Sequence, residues 1–281
     1  MIDEIQLEKL QSVAGKIRKH IVEMTHAAKS GHPGGSMSMA DIITHLYFKW
    51  MNIDPKQPKK EDRDIFVLCK GHAAPALYSA MAVRGFFPEE ELKTLRQVGS
   101  RLQGHPDKNA IPGIEMSTGS LGQGLSASVG MSLALKLDKK PNRVYAVLGD
   151  GELQEGQVWE AAMSAAHYKC DNLCAFIDNN KLQIDGAIED IMGIDPIADK
   201  FRAFGWEVFE IDGHCFQDID DALVKADSIK GKPVAIVADT VKGKGVSFME
   251  GQLCFHGAPC NDDQKVEACS ELDKINGVCG C

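Results

Sequence analysis

The stretch from Gly149 to Gly186 constrains the fold more than any other part of the chain. An apolar run, Val144 to Leu148, reads as a buried strand and stops at Gly149-Asp150-Gly151. A helical pattern follows (Val158, Trp159, Ala162, Met163, Ala166), and then a second apolar run from Leu173 to Ile177 stops at Asp178-Asn179-Asn180. This is a strand–helix–strand unit. It puts a carboxylate at the end of one parallel strand and a carboxamide at the end of the next, on the carboxyl edge where open α/β sheets bind ligands. Oxygens of Asp150 and Asn180 at that edge suit a hard divalent ion such as Mg²⁺ that shares a phosphate. Gly151 lets backbone approach the phosphate near the amino end of the following helix.

The rest of the chain repeats the alternation. Residues 3–30 pattern as a long amphipathic helix (Ile5, Leu10, Val13, Ile17, Ile21, Met24) that ends at Ser30-Gly31-His32-Pro33-Gly34-Gly35. A helix is predicted from about Ser38, its N-cap, to Trp50, and a short strand over 65–68. Helices are predicted over 74–83, 89–97, 121–137, 197–204 and 216–229, and strands over 206–211 and 234–238. Residues 99–121 are too rich in Gly, Pro and Ser, and too long, for a simple connector; 181–199 reads as loop, and beyond Met249 the pattern fades. The expected architecture is α/β: one doubly wound, mainly parallel sheet flanked by helices. One domain is expected over 1–260, with a Cys-bearing tail over 261–281.

A net charge of −9 argues against a nucleic-acid surface. The sequence holds no apolar run long enough for a signal peptide or a membrane span, so the cytoplasm is the expected location. Of the nine cysteines, Cys69, Cys170, Cys174 and Cys215 sit in or beside apolar runs as buried thiols. Cys254, Cys260, Cys269, Cys279 and Cys281 crowd the end, with spacings that match no zinc pattern, so reduced, solvated thiols are expected there. No GxGxxG follows a strand near the start, which removes a nicotinamide-binding reading.

Four histidines sit in Gly- or Pro-flanked loops: His32 (SGHPGG), His72 (KGHAAP), His105 (QGHPD) and His256 (FHGAP). Imidazoles move protons near neutral pH and bond to diphosphate or sugar hydroxyls. Asp150 and Asn180, thirty positions apart across one strand–helix–strand unit, match the spacing of the thiamine diphosphate motif. With SGHPGGSMSMAD, GHAAPALYSA, STGSLGQGLSASVGMSLA, GDGELQEGQVWEA, DNNKLQIDG and FHGAP in order over about residues 10–260, the chain resembles the amino-terminal domain of transketolase.

The resemblance implies the thiamine diphosphate-binding fold, thiamine diphosphate with Mg²⁺ or Ca²⁺ as cofactors, and carbohydrate metabolism of the pentose phosphate type. Its implied metal ligands are the side chains of Asp150 and Asn180 and the carbonyl of Leu182. His72 and His256 are implied diphosphate donors, with the Gly151 N–H. Gly119 and Leu121 border the cofactor rings, Ile184 packs on the thiazolium, and Lys242 lies near the diphosphate. His32 and His256 face the substrate hydroxyl beside the carbonyl, and His105 the terminal hydroxymethyl oxygen. Glu155, also near the cofactor, and Glu160 lie at a subunit interface. Ser120 stands where the family often has Pro, and Asn179 and Lys181 where Asp and Gly are commoner, without touching the metal positions.

Nothing in the sequence corresponds to the family's pyrimidine-binding or carboxyl-terminal domains. The expectation is therefore the amino-terminal subunit of a split transketolase. Such a subunit transfers a two-carbon ketol unit from a phosphate- or sulfonate-bearing ketose to an aldose. It would do so in a heterotetramer with a partner that carries the pyrimidine-binding domain. The alternatives are a subunit resembling 1-deoxyxylulose-phosphate synthase, a specialised sugar transketolase, or a non-catalytic cofactor-binding module.

Overall fold

The computed structural model describes residues 2–275. Cys279 and Cys281 lie outside that range. Five strands form one all-parallel sheet: β1 (Ile65–Leu68), β2 (Val144–Gly149), β3 (Leu173–Asn179), β6 (Glu207–Asp212) and β7 (Val234–Asp239), in the order β1-β2-β3-β7-β6. A small antiparallel hairpin, β4 (Leu182–Gln183) and β5 (Gly186–Ala187), stands apart at the carboxyl edge. The helices are α1 (Glu4–Ala28), α2 (Pro33–Ser38), α3 (Ala40–His45), α4 (Ala74–Arg84), α5 (Gln123–Leu137), α6 (Gly156–His167), α7 (Ile188–Met192), α8 (Ile197–Ala203), α9 (Phe216–Ser228) and α10 (Asp262–Ile275).

The apolar runs are continuous because both faces of the sheet are covered. Successive side chains point to opposite faces. Tyr145, Val147, Cys174, Phe176 and Ile236 enter one core with α1, α3, α4 and α9. Val144, Ala146, Leu148, Ala175 and Ile177 enter the other with α5, α6 and α8. The register sets Gly149 opposite Asp178, and Asn179 opposite Asp239, so the polar strand ends finish on one level.

The doubly wound parallel sheet is as expected, but several local expectations are corrected. The Pro33-Gly34-Gly35 run starts a helix, with Pro33 in the first turn, where its missing N–H costs nothing. Ser38 therefore ends α2 rather than capping a helix to Trp50. Its hydroxyl bonds Gly35 O and Asp178 Oδ2, and the chain breaks at Met39 before α3 and a π turn over Leu46–Trp50. Residues 89–97 make only a 3₁₀ helix, Glu89–Thr94. The supposed loop over 181–199 holds the hairpin and α7. Residues after Met249 form a 3₁₀ turn and α10, whose Ala268 and Leu272 are fully buried in the core with α1. Cys260 is buried there and Cys269 is half-buried, so neither is a solvated thiol; Cys215, at the head of α9, is only half-buried.

Candidate active site

The ends of β2 and β3 open into a cavity of about 370 Å³. Asp150, Gly151, Asn180, Leu182 and Ile184 line it with Gly119, Leu121, His32, His72, Lys242, His256 and Glu155. The thiamine-motif residues and three of the four loop histidines thus meet in one place.

Asp150 is almost fully buried. Its Oδ1 accepts the Gly151 N–H at 2.8 Å and its Oδ2 the Lys181 N–H. Burial, and then the neighbouring Asp178, push its carboxyl up to about 7. A carboxylate under that pressure gains strongly from a cation. Asn180 Oδ1 accepts the Leu182 N–H at 3.2 Å and keeps a further lone pair, while its Nδ2 donates to Asp178 Oδ2. The Leu182 carbonyl accepts from Lys242 Nζ at 3.2 Å. Carboxylate, carboxamide and carbonyl oxygens make a hard donor set, and it fits Mg²⁺ or Ca²⁺ completed by phosphate and water.

His32, His72 and His256 form a triangle with ring centroids 5.2, 5.3 and 5.4 Å apart. Burial, reinforced by nearby Arg96, Lys70 and Lys242, brings His32 and His256 down to about 4 and His72 well below the ordinary value. All three are therefore neutral at pH 7. Lys242, also lowered by burial and then by Lys70, to about 8, donates to His256 Nδ1 at 2.8 Å. That bond leaves the hydrogen of His256 on Nε2, a donor for an incoming oxygen. Arg96 at 3.4 Å fixes His32 in the same tautomer.

His105 stands beside the triangle rather than in it. Its ring lies against Gly119, where φ is +141° and a Cβ would meet His105 Cδ2 at 2.8 Å. Tyr78 OH donates to its carbonyl. Ile184 projects from the hairpin, 65% exposed. Glu155 and Glu160, at the head of α6, are exposed. The Gly151 N–H is engaged by the Asp150 side chain.

Reading the sequence missed the layer beneath. Lys70 bonds Gly35 O and pairs with the fully buried Asp178, which also accepts from Ser38 and Thr240. Burial works to raise the Asp178 carboxyl, but the Lys70 charge and these bonds outweigh it and hold it below the usual range. Glu152 accepts the N–H groups of Gly122 and Gly149, tying the start of α5 to the end of β2, and burial pushes it up to about 7. Lys70 sits inside the KGH run and Asp178 heads DNN, so strand-end motifs marked both positions without revealing their partners. A second cavity, about 390 Å³, lies beyond Asn179; its Lys181 and Arg202 pair with Asp239, Asp199 and Glu210.

Residues 10–273 match the family model for transketolase, thiamine diphosphate binding domain. The chain is 48% identical over 265 residues to the 6-deoxy-6-sulfo-D-fructose transketolase subunit SqwG of a Clostridium species, covering 94% of this chain and 96% of that protein. It is 43% identical to an apulose-4-phosphate transketolase subunit from Phocaeicola vulgatus, covering 96% of both. The solved structure of transketolase from Campylobacter jejuni superposes with a TM-score of 0.89 at 33% identity, and 96% of this chain corresponds to 43% of that one. The chain therefore belongs to the transketolase family, through that family's thiamine diphosphate-binding domain.

Proposed function

We propose that this chain is the amino-terminal subunit of a split transketolase. It would transfer a two-carbon ketol unit from a ketose with an anionic end group to an aldose. The observation that carries the reading is the meeting of Asp150, Asn180, Leu182 and Lys242 with three neutral imidazoles in one cavity. The two-chain form is supported by relatives named as subunits, which the chain matches over 96% of their length. Their names specify a sulfonated and a phosphorylated sugar, and either kind of anion is the expected substrate class here.

Bound thiamine diphosphate supplies an electron sink at its thiazolium ring. The chain's own groups do the rest of the work on this side. Asp150, Asn180 and the Leu182 carbonyl would hold Mg²⁺ or Ca²⁺. Lys242, His72 and His256 would donate to the diphosphate oxygens, and Gly119, Leu121 and Ile184 would bound the rings. His32 and His256 present Nε2–H donors to the hydroxyl beside the substrate carbonyl, and a neutral imidazole can also take up a proton there. His105 serves the terminal hydroxymethyl oxygen. A partner with the pyrimidine-binding domain completes the site, in a heterotetramer built around the face that carries Glu155 and Glu160. The expected setting is cytoplasmic carbohydrate metabolism of the pentose phosphate type. Among the described residues no helix is long and apolar enough to cross a membrane.

The test is a two-carbon transfer assay with the cofactor and Mg²⁺. The chain mixed with a partner carrying the pyrimidine-binding domain turns over sulfonated or phosphorylated ketoses, and the chain alone does not. Robust transfer by the chain alone would overturn the split reading. Cofactor binding without turnover under any pairing would favour a binding module.

A further inference from the structure

His214 does not line the cavity, yet it is wired to Lys242, a lysine that does. It follows β6 in the run Asp212-Gly213-His214, where Gly213 sits so close to the end of β7 that a Cβ would meet Thr240 Cγ2 at 2.5 Å. The Gly213 N–H donates to Asp239 O at 2.8 Å, which docks the turn on that strand end. The imidazole is largely buried and bonded at both nitrogens. Nδ1 lies 2.8 Å from Asp41 Oδ2, and Nε2 accepts the Val241 N–H at 2.9 Å. A backbone amide can only donate, so the ring hydrogen is on Nδ1 and points at Asp41. Asp41 is gripped in turn by both terminal nitrogens of Arg18, reaching in from α1.

The amide held by this chain of contacts belongs to the residue before Lys242. The same segment is pinned on its other side, where the Gly243 N–H donates to Gly34 O at 3.0 Å. Flanked by the two bonds, Lys242 is 2% exposed, and its Nζ donates to Leu182 O and His256 Nδ1. We propose that His214, braced by Arg18 and Asp41, is a positioning residue: it fixes the Thr240–Val241 peptide, immediately before Lys242, and so holds the Lys242 ammonium where the cofactor's diphosphate binds. This rests on reading Lys242 as a diphosphate donor. Partners that orient a ligand-binding group in this way matter to affinity as much as to shape.

Two substitutions separate the bonds of His214. Asn at 214 keeps a donor where Nδ1 stood and loses the acceptor for Val241; Gln carries an oxygen to the Nε2 position and keeps that acceptor. In the full chain, amide hydrogen exchange at Val241 is expected to accelerate in His214→Asn and to stay slow in His214→Gln. Titration of the full chain, alone and with its partner, with thiamine diphosphate and Mg²⁺ should show roughly ten- to a hundredfold weaker binding for His214→Asn, with most of it recovered in His214→Gln. In a Lys242→Ala background, His214→Asn should weaken binding no further.

Unchanged Val241 exchange in His214→Asn overturns the proposal. So does a full additional loss of affinity in the Lys242→Ala background, since His214 would then act through general destabilisation. Weak binding by Lys242→Ala with normal binding by His214→Asn defeats this inference alone. Normal binding by Lys242→Ala defeats the diphosphate role of Lys242 as well.

Discussion

At the residue scale the site is defined by what it keeps uncharged. His32, His45 and His256 are pushed down to about 4 and His72 well below its ordinary value, each driven first by burial. Their unfolded value is 6.5, so between about 6.5 and 4 the unfolded chain binds more protons than the folded one. The imidazoles' share of stability is thus full above pH 6.5 and is lost as pH drops through that window, while Asp150 and Glu152, raised by burial to about 7, hold protons in the folded chain there and offset part of the loss. Histidine C2–H NMR titration of the folded chain should find these four rings neutral at pH 6, where free imidazoles are mostly protonated, and protonation of them at that pH would mean they are not held neutral. Asp150→Ala should weaken Mg²⁺-dependent cofactor binding by about tenfold or more, the worth of one charged contact, while circular dichroism remains that of a folded chain. His105→Ala should bind cofactor normally and lose turnover in the assembled enzyme; loss of binding would place His105 among the diphosphate donors. Asp150, Asn180 and the loop histidines were legible because each sits in its own glycine-marked run. Asp178, Glu152 and His214 were not, since their roles are set by partners 140, 30 and 173 positions away along the chain.

At the element scale, periodicity located the strands and long helices, and failed where tertiary contacts override local preference. The segment Pro33–Ser38 carries two glycines and reads as a breaker, yet every residue of it is buried and it forms a wall of the cavity. α10 is mostly polar and shows little apolar period, because only a narrow stripe meets α1. Leu272→Ala empties a fully buried position in that stripe and should cost about 2–5 kcal/mol, read by denaturant unfolding. A loss under about 0.5 kcal/mol, the size of a surface change, would show that α10 docks only loosely. On the other face, α5 presses Gly124 against β1's end, where a Cβ would lie 2.8 Å from Cys69 Cα. Gly124→Ala should therefore destabilise by about 1–3 kcal/mol through overpacking, although alanine is the better helix former. Stabilisation instead would mean that α5 shifts freely over the sheet.

At the scale of the whole molecule, one parallel sheet delivers the functional groups to a single edge. Leu137, Met163 and Tyr168 are more than half exposed on α5, α6 and the turn after α6, and Met163 stands one helical turn beyond Glu160. Met163→Glu should lower the assembled fraction in sedimentation velocity while leaving the Tm of the isolated chain nearly unchanged. Unaltered assembly would move the subunit interface to another face. The fold class and the cofactor were readable from sequence because both depend on local runs in a fixed order. The sugar was not, because the residues assigned to the site serve the cofactor and the substrate hydroxyls, not the anionic end group.

The Lys70–Asp178 pair beneath the cavity bears on how such a chain can change over generations. Loss of either member leaves a lone charge inside the protein, at a cost of about 3–5 kcal/mol. That is a large part of the stability an ordinary domain possesses. The two positions are therefore inherited as one character. A lineage that replaces them must cross a poorly folded intermediate or change both together, whereas an exposed pair such as Arg202 and Asp199 can be replaced one residue at a time.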